Sequence, residues 1–233
     1  MAEKKKENPH KIGQLNESSL HNQIKHLLAS EGDILEKKIG RYYIDIVKPD
    51  RLVEIQTASF GAIRAKLQKL LKEHKVTLVY PIAWRKMIVY FDEKTGNEVS
   101  KRRSPKRGKL IDVFQELLRI PQLFTDPNLT LQVALIKIEE HRIRDGKGSW
   151  RRGGVSIVNR KLVELCDLVE FENPKDLLNL LPQIPDSTFT TKSLAQKCKI
   201  RRHIAQKICY TLRKMGAIEK VGCEKRFYVY RVL

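Results

Sequence analysis

The chain has 233 residues, with 46 Lys and Arg against 27 Asp and Glu, a formal net charge of +19. Hydrophobic residues make up 41%, with 12 Gly and 9 Pro, which excludes collagen-like and disordered classes. A surplus of this size costs stability through self-repulsion, so it points to a polyanionic partner, nucleic acid first and an anionic membrane surface second. No apolar run reaches the ~18 residues of a membrane span, and no apolar segment follows the basic start Met1–Lys6. Neither a span nor a secretory signal is therefore expected. The four cysteines, Cys166, Cys198, Cys209 and Cys223, form no CxxC pair. That argues against zinc and implies free thiols in a reducing, cytoplasmic compartment.

Residues 1–14 read as a polar, flexible tail. Asn16 to Ser19 supplies capping residues for a helix with Leu20, Ile24, Leu27 and Leu28 on one face, ending near Gly32. Three strand-like runs follow: 34–39, 42–47 and 52–57. Gly40-Arg41 and Pro49-Asp50 separate them as two-residue turns. A helix is predicted over 60–74, a buried strand over 76–82 and another strand over 86–91.

The segment 101–109 then places six cations in nine residues with no acid. A solvated linker fits it, and so does a phosphate contact through Arg102, Arg103, Lys106 and Arg107. Beyond it come a helix over 110–118 and a strand over 129–143. The Gly- and Arg-rich loop 145–154 carries Trp150, Arg151 and Arg152, the arginines being further candidate DNA contacts; 155–171 fits no single element. The division implied is 1–14, 15–100, a basic middle region of unassigned fold over 101–172, and 173–233.

The last sixty residues show three helical segments, over 174–181, 190–198 and 201–215, and then a hairpin around Gly222. Three helices and a two-stranded wing describe a winged helix-turn-helix. Its third helix exposes Arg201, Arg202 and Lys207, a profile suited to the DNA major groove, although such a module can also dock protein.

Register arithmetic gives the most informative pattern. A tight turn at Pro49-Asp50 makes facing residues sum to 99 and sets Asp45 opposite Glu54. A tight turn at Gly40-Arg41 makes them sum to 81 and sets Glu36 opposite Asp45. Three carboxylates then line one row of one face, with Lys38, Tyr43 and Gln56 in the next. Like charges facing one another destabilise a sheet, so such a row asks for a cation. Hard oxygen ligands favour Mg²⁺ or Mn²⁺, whereas a wet sheet face with lysine partners is the structural alternative.

Asp45, eight residues, then Glu54-Ile55-Gln56, on a hairpin followed by a helix and a strand, resembles the PD-(D/E)xK nuclease superfamily. The α-β-β-β-α-β order, with Glu17 in the preceding helix, is similar to its Holliday-junction-resolvase and restriction-endonuclease branches. The resemblance spans residues 15 to 92. It implies an α/β fold with a mixed sheet, Mg²⁺ or Mn²⁺ held by Asp45, Glu54 and the Ile55 carbonyl, and an additional helical acid at Glu17. Gln56 stands where the family most often has lysine and can only orient the attacking water; Lys38 or Lys66 is expected to compensate. Thr57 and Ser59, at the entrance of the following helix, are expected to meet phosphate. Glu36 joins the catalytic set from the register alone.

The function expected is a metal-dependent DNA endonuclease that acts on duplex or branched DNA, with no membrane role. Nucleases of this type commonly act as dimers. The alternative is an inactive nuclease-fold protein that binds DNA or regulates. His21 and the other five histidines show no ligand spacing and are expected to serve surface or core roles.

Overall fold

The computed structural model describes residues 18–181, 188–225 and 227–233. The tail expected over 1–14, and Glu17, lie outside the described residues. Helix α1 (Ser18–Leu28) leads into β1 (Ile34–Ile39), β2 (Tyr42–Val47) and β3 (Leu52–Ile55). Gly40, with φ of 55°, takes the left-handed conformation that the tight β1–β2 turn requires. The Lys48 N–H donates to the Arg51 carbonyl at 2.9 Å and closes the second turn around Pro49-Asp50. Both registers follow the turn arithmetic: Lys37 faces Ile44 and Leu35 faces Ile46, while Ile46 faces Val53 and Val47 faces Leu52.

Helix α2 (Phe60–Leu70) crosses over to β4 (Val76–Phe91), which runs parallel to β3. The two strands expected over 76–82 and 86–91 are one. The reason is a continuous partner: β6 (Leu129–Ile143) lies parallel to β4 from Val76 opposite Leu129 to Phe91 opposite Ile143. A single register shift between Ala83 and Arg85 absorbs the polar break in the sequence. The segment over 155–171, which periodicity left open, is β7 (Ser156–Phe171), antiparallel to β6. The seven-stranded sheet has the order β1-β2-β3-β4-β6-β7, with β5 (Glu98–Arg103) beside the far half of β4.

The sheet is thus mixed and crosses residue 100 without a break, where the sequence suggested a boundary. The basic run is not a solvated linker. Lys101 to Arg103 pair with β4 as part of β5. The Ser104 N–H donates to the Lys86 carbonyl at 2.8 Å and the Gly108 N–H to the Ala83 carbonyl at 3.0 Å. A helix expected over 110–118 is a 3₁₀ turn, Leu110–Val113, followed by the single-turn α3 (Phe114–Leu117).

Apolar residues fill both faces. Along β3, Leu52 joins a cluster with α2, Phe114 and Leu117, whereas Val53 and Ile55 join Ile24 of α1 on the other side. That alternation directs Glu54 towards α2. Past α4 (Pro174–Leu178), the C-terminal elements are β8 (Thr188–Thr190), α5 (Thr191–Lys197), α6 (Arg202–Lys214), β9 (Ile218–Glu224) and β10 (Phe227–Val232). The last two strands and β8 make a small antiparallel sheet of order β8-β10-β9. Ile208 and Leu212 of α6 belong to the same apolar cluster as Phe114 and Leu117, so this unit packs on the larger one. Among the described residues, all four cysteines are free, and no helix is long and apolar enough to cross a membrane.

Two consequences can be measured. A Cβ at Gly108 would stand 2.4 Å from Ile82 Cγ2 and 2.8 Å from the Ala83 carbonyl oxygen. Gly108→Ala is therefore expected to cost about 1–3 kcal/mol of stability in urea unfolding, whereas a free linker would tolerate it. The second concerns Glu140, 1% exposed, which accepts from Lys86 Nζ at 2.9 Å and Arg142 Nε at 2.9 Å. Burial alone would raise its carboxyl, but Lys86 and Arg142 outweigh burial and hold it at about 2. A carboxyl depressed on folding stabilises above its ordinary range near 4.5, and that stability vanishes as pH falls through about 2. Between pH 5 and pH 2 the wild type should lose about 3 kcal/mol more than Glu140→Gln, read as the difference in urea midpoints.

Candidate active site

Asp45 and Glu54 meet where the β2–β3 ladder ends. The last paired residues are Ile46 and Val53, one step short of them. There the Ile55 N–H, which a longer ladder would pair with β2 backbone, donates instead to Asp45 Oδ2 at 2.7 Å. Asp45 Oδ1 lies 3.1 Å from His21 Nε2 of α1. Burial pushes the Asp45 carboxyl up, but His21 and the Ile55 amide more than offset this and leave it below the usual range.

Glu54 has a different environment. It is 3% exposed, and Lys66 Nζ of α2 lies 2.5 Å from its Oε1. The same ammonium donates to the Tyr43 carbonyl. Burial raises the Glu54 carboxyl to about 7, against the pull of Lys66 and with a further push from Asp45. Glu54 Oε1 and His21 Nε2 are both buried without a hydrogen bond of good geometry, although Lys66 Nζ and Asp45 Oδ1 respectively lie within reach. One carboxylate is thus held firmly ionised and its neighbour is poised near neutrality.

The remaining predicted residues fall in several places. Glu36 leaves the expected row: its φ of 51° takes it out of the pleat, and it pairs with Lys25 Nζ of α1, a lysine only 3% exposed. The pairing holds the Glu36 carboxyl below its usual range. The side-chain amide of Gln56 donates to the Ser59 carbonyl at 2.8 Å and so braces the β3–α2 turn. Ser59 Oγ accepts from the Gly61 N–H as the N-cap of α2, and the Phe60 N–H is taken by Glu116 Oε2. Of the two lysines expected to compensate for Gln56, Lys66 reaches Glu54, whereas Lys38 faces Tyr43 across the β1–β2 ladder.

The cations expected on nucleic acid occupy three regions. Arg102 and Arg103 lie exposed on β5, with Lys106 and Arg107 in the loop after it. Arg151 and Arg152 sit on the β6–β7 loop, and Arg201 and Arg202 at the start of α6, with Lys207 half-buried along it. Among the described residues, no group of three or more His, Cys, Asp or Glu side chains is placed to hold a metal ion.

Sequence reasoning missed His21. The signal was its place three residues before Ile24, which is 2% exposed, so His21 borders the buried stripe of α1 instead of facing solvent.

The Glu54–Lys66 contact can be weighed alone. Lys66→Met should destabilise by about 2–4 kcal/mol, because it leaves a buried carboxylate without its countercharge. The double change Lys66→Met with Glu54→Gln should recover most of that loss. A coupling energy near zero in the urea-unfolding cycle would show that the two groups do not interact.

A curated relative from Treponema pallidum (strain Nichols), named "Uncharacterized protein", is 34% identical over 187 residues, 79% of this chain and 74% of that protein. No solved structure matches the chain. The family described as Domain of unknown function (DUF8091) matches residues 18–172, from the helix that carries His21 to the end of the large sheet. At that coverage, the chain belongs to the DUF8091 family.

Proposed function

We propose that the chain is a metal-dependent deoxyribonuclease with a PD-(D/E)xK-like core and a C-terminal winged helix. One observation carries the reading: carboxylates from two adjacent strands, the half-buried Asp45 and the buried Glu54, share the field of a lysine from the next helix, Lys66, which lies 2.5 Å from Glu54 Oε1. An ammonium beside the reacting phosphate stabilises the negative charge that builds on its oxygens. Lys66 supplies that charge from α2, while Gln56, tied to Ser59, stays with the turn. His21 and the Ile55 N–H fix the Asp45 carboxylate in one orientation.

The donor chemistry fits Mg²⁺ or Mn²⁺. Asp45, Glu54 and the Ile55 carbonyl would hold such an ion through hard oxygens, and Glu54 Oε1 lacks a well-formed hydrogen bond. Bound there, the ion supplies an activated water and neutralises charge on the phosphate. The long flexible stem of Lys66 lets its ammonium withdraw from Glu54 while remaining nearby. Arg102, Arg103, Lys106 and Arg107, with Arg201, Arg202 and Lys207 of the C-terminal unit, would grip duplex or branched DNA through its phosphates.

A second reading has its own support. Both carboxylates already have partners within the protein, His21 for Asp45 and Lys66 for Glu54, and among the described residues no trio of metal-ligating side chains is assembled. A DNA-binding scaffold without catalysis fits those facts. Supercoiled, linear and four-way-junction DNA incubated with Mg²⁺ or Mn²⁺ separates the two. The nuclease reading expects cleavage by wild type and a loss on the order of a hundredfold in Asp45→Ala. Binding without cleavage would leave the scaffold, and equal cutting by the mutant would remove Asp45 from the site.

A further inference from the structure

Trp150 is 84% exposed, the most exposed large hydrophobic side chain among the described residues. An indole left in water forfeits the largest apolar burial any side chain can gain, so its position asks for a partner. It is not exposed through slack. The loop between β6 and β7 is closed by its own backbone: Gly148 N–H to the Gly154 carbonyl at 2.8 Å, Arg152 N–H to the Ser149 carbonyl at 2.8 Å, and Gly153 N–H to the Trp150 carbonyl at 2.9 Å. Gly148 is required there, because a Cβ would lie 2.0 Å from the Val155 carbonyl carbon and oxygen. The loop thus presents the indole from a braced support.

The surroundings define the partner. Lys147, Arg151 and Arg152 stand within three residues of Trp150 in the chain; the Arg151 guanidinium lies 5.9 Å from its ring centre, and Arg152 Nε donates to the Val155 carbonyl at 3.2 Å. The loop's one acid, Asp145, is committed to the loop itself, where its Oδ1 accepts from the Lys147 N–H. A membrane anchor would gather several apolar groups around the indole. Here the neighbours are Ser149, Arg151, Arg152 and Gly153, and the next apolar side chain, Val155, is only 9% exposed. A lone aromatic ring among cations suits a nucleobase with a phosphate on either side. Bases inside a duplex are already stacked on each other, so the ring needs one that is not.

We infer that Trp150 stacks on an unpaired base of a single strand, fork or branch, with Lys147, Arg151 and Arg152 on the flanking phosphates. The inference rests on the nucleic-acid reading and narrows it to DNA with unpaired bases. The sheet gives the spacing. Glu54 faces Leu78, which faces Leu131, and β6 then runs to Ile143 before the loop begins. At ~3.3 Å per residue this is roughly 40 Å. A helical turn of duplex is ~34–36 Å, so one bound DNA molecule can reach both places.

The test is binding in EDTA, which removes cleavage from the measurement. In a Trp84→Phe background Trp150 is the one tryptophan left, since the chain has 2. A single-stranded oligonucleotide and a forked duplex should quench its fluorescence strongly, and a blunt duplex of the same sequence weakly. Labelled-DNA anisotropy with otherwise wild-type protein gives an independent reading. There Trp150→Ala should weaken single-strand and fork binding on the order of tenfold, and Trp150→Phe should retain most of it.

Equal binding of the fork by Trp150→Ala and wild type would overturn the inference. So would a blue shift of Trp150 emission with phosphatidylserine vesicles but no response to DNA. If wild type binds no DNA in any form, this inference and the nuclease reading fall together. If Asp45→Ala cuts like wild type while the Trp150 effect holds, the assigned active site alone is lost.

Discussion

The parallel pairing of β4 with β6 organises the molecule. It runs from Val76 opposite Leu129 to Phe91 opposite Ile143, far longer than the four-residue pairing of β4 with β3. Parallel ladders need cover on both faces, and the near half receives it from α1 on one side and from α2 and α3 on the other. The far half takes β5 as its edge and replaces apolar cover with charge, most tightly at Glu140 among Lys86, Arg142 and Arg160. One spine therefore carries an acidic pair near one end and a cationic loop beyond the other.

The acidic pair shows how a sheet can keep two carboxylates on adjacent strands. Two like charges on adjacent strands, one buried and one half-buried, would force the strands apart or take up a proton unless polar partners reach them. Both remedies appear. Asp45 is held ionised by His21 and the Ile55 amide, while Glu54, deeper and facing α2, rises to about 7 even with Lys66 against it. The ladder itself yields at this point, because the Ile55 N–H leaves β2 backbone for a side chain. The strand pair gives up a backbone bond to seat the Asp45 carboxylate, a local departure from regular pairing.

Much of this was legible in the chain, and particular residues show why. Gly40-Arg41 and Pro49-Asp50 fix two tight turns, and tight turns fix register, so the pairing of Ile46 with Val53, one step from Asp45 and Glu54, follows from counting. Glu36 was placed by the same count and lost, because its backbone turns left-handed and its side chain pairs with Lys25 of α1, a contact no strand arithmetic contains. The run 101–109 read as linker since its side chains are polar, yet its backbone pairs with β4, and edge strands are commonly cationic for that reason. His21 stayed hidden because its partner lies 24 positions away, on another element, and spacing within one helix says nothing of that.

The overall charge of +19 resolves into a division of labour along the spine. Around Asp45, Glu54 and Glu36 the protein supplies two lysines, Lys25 and Lys66, and the His21 ring, so each carboxyl there has a partner of the protein's own. The far sheet behaves likewise where it is buried: Glu140 absorbs three cations and Glu139 takes Lys101. Among the described residues, clusters of exposed cations remain on the loop after β5, the β6–β7 loop and the start of α6. Surface cations that no acid satisfies act at long range and weaken with salt, which suits holding a polyanion along its length. The Asp45–Glu54 pair, met at once by Lys66, His21 and the Ile55 amide, acts only at contact, so the long-range and the short-range electrostatics of the chain lie in different parts of one sheet.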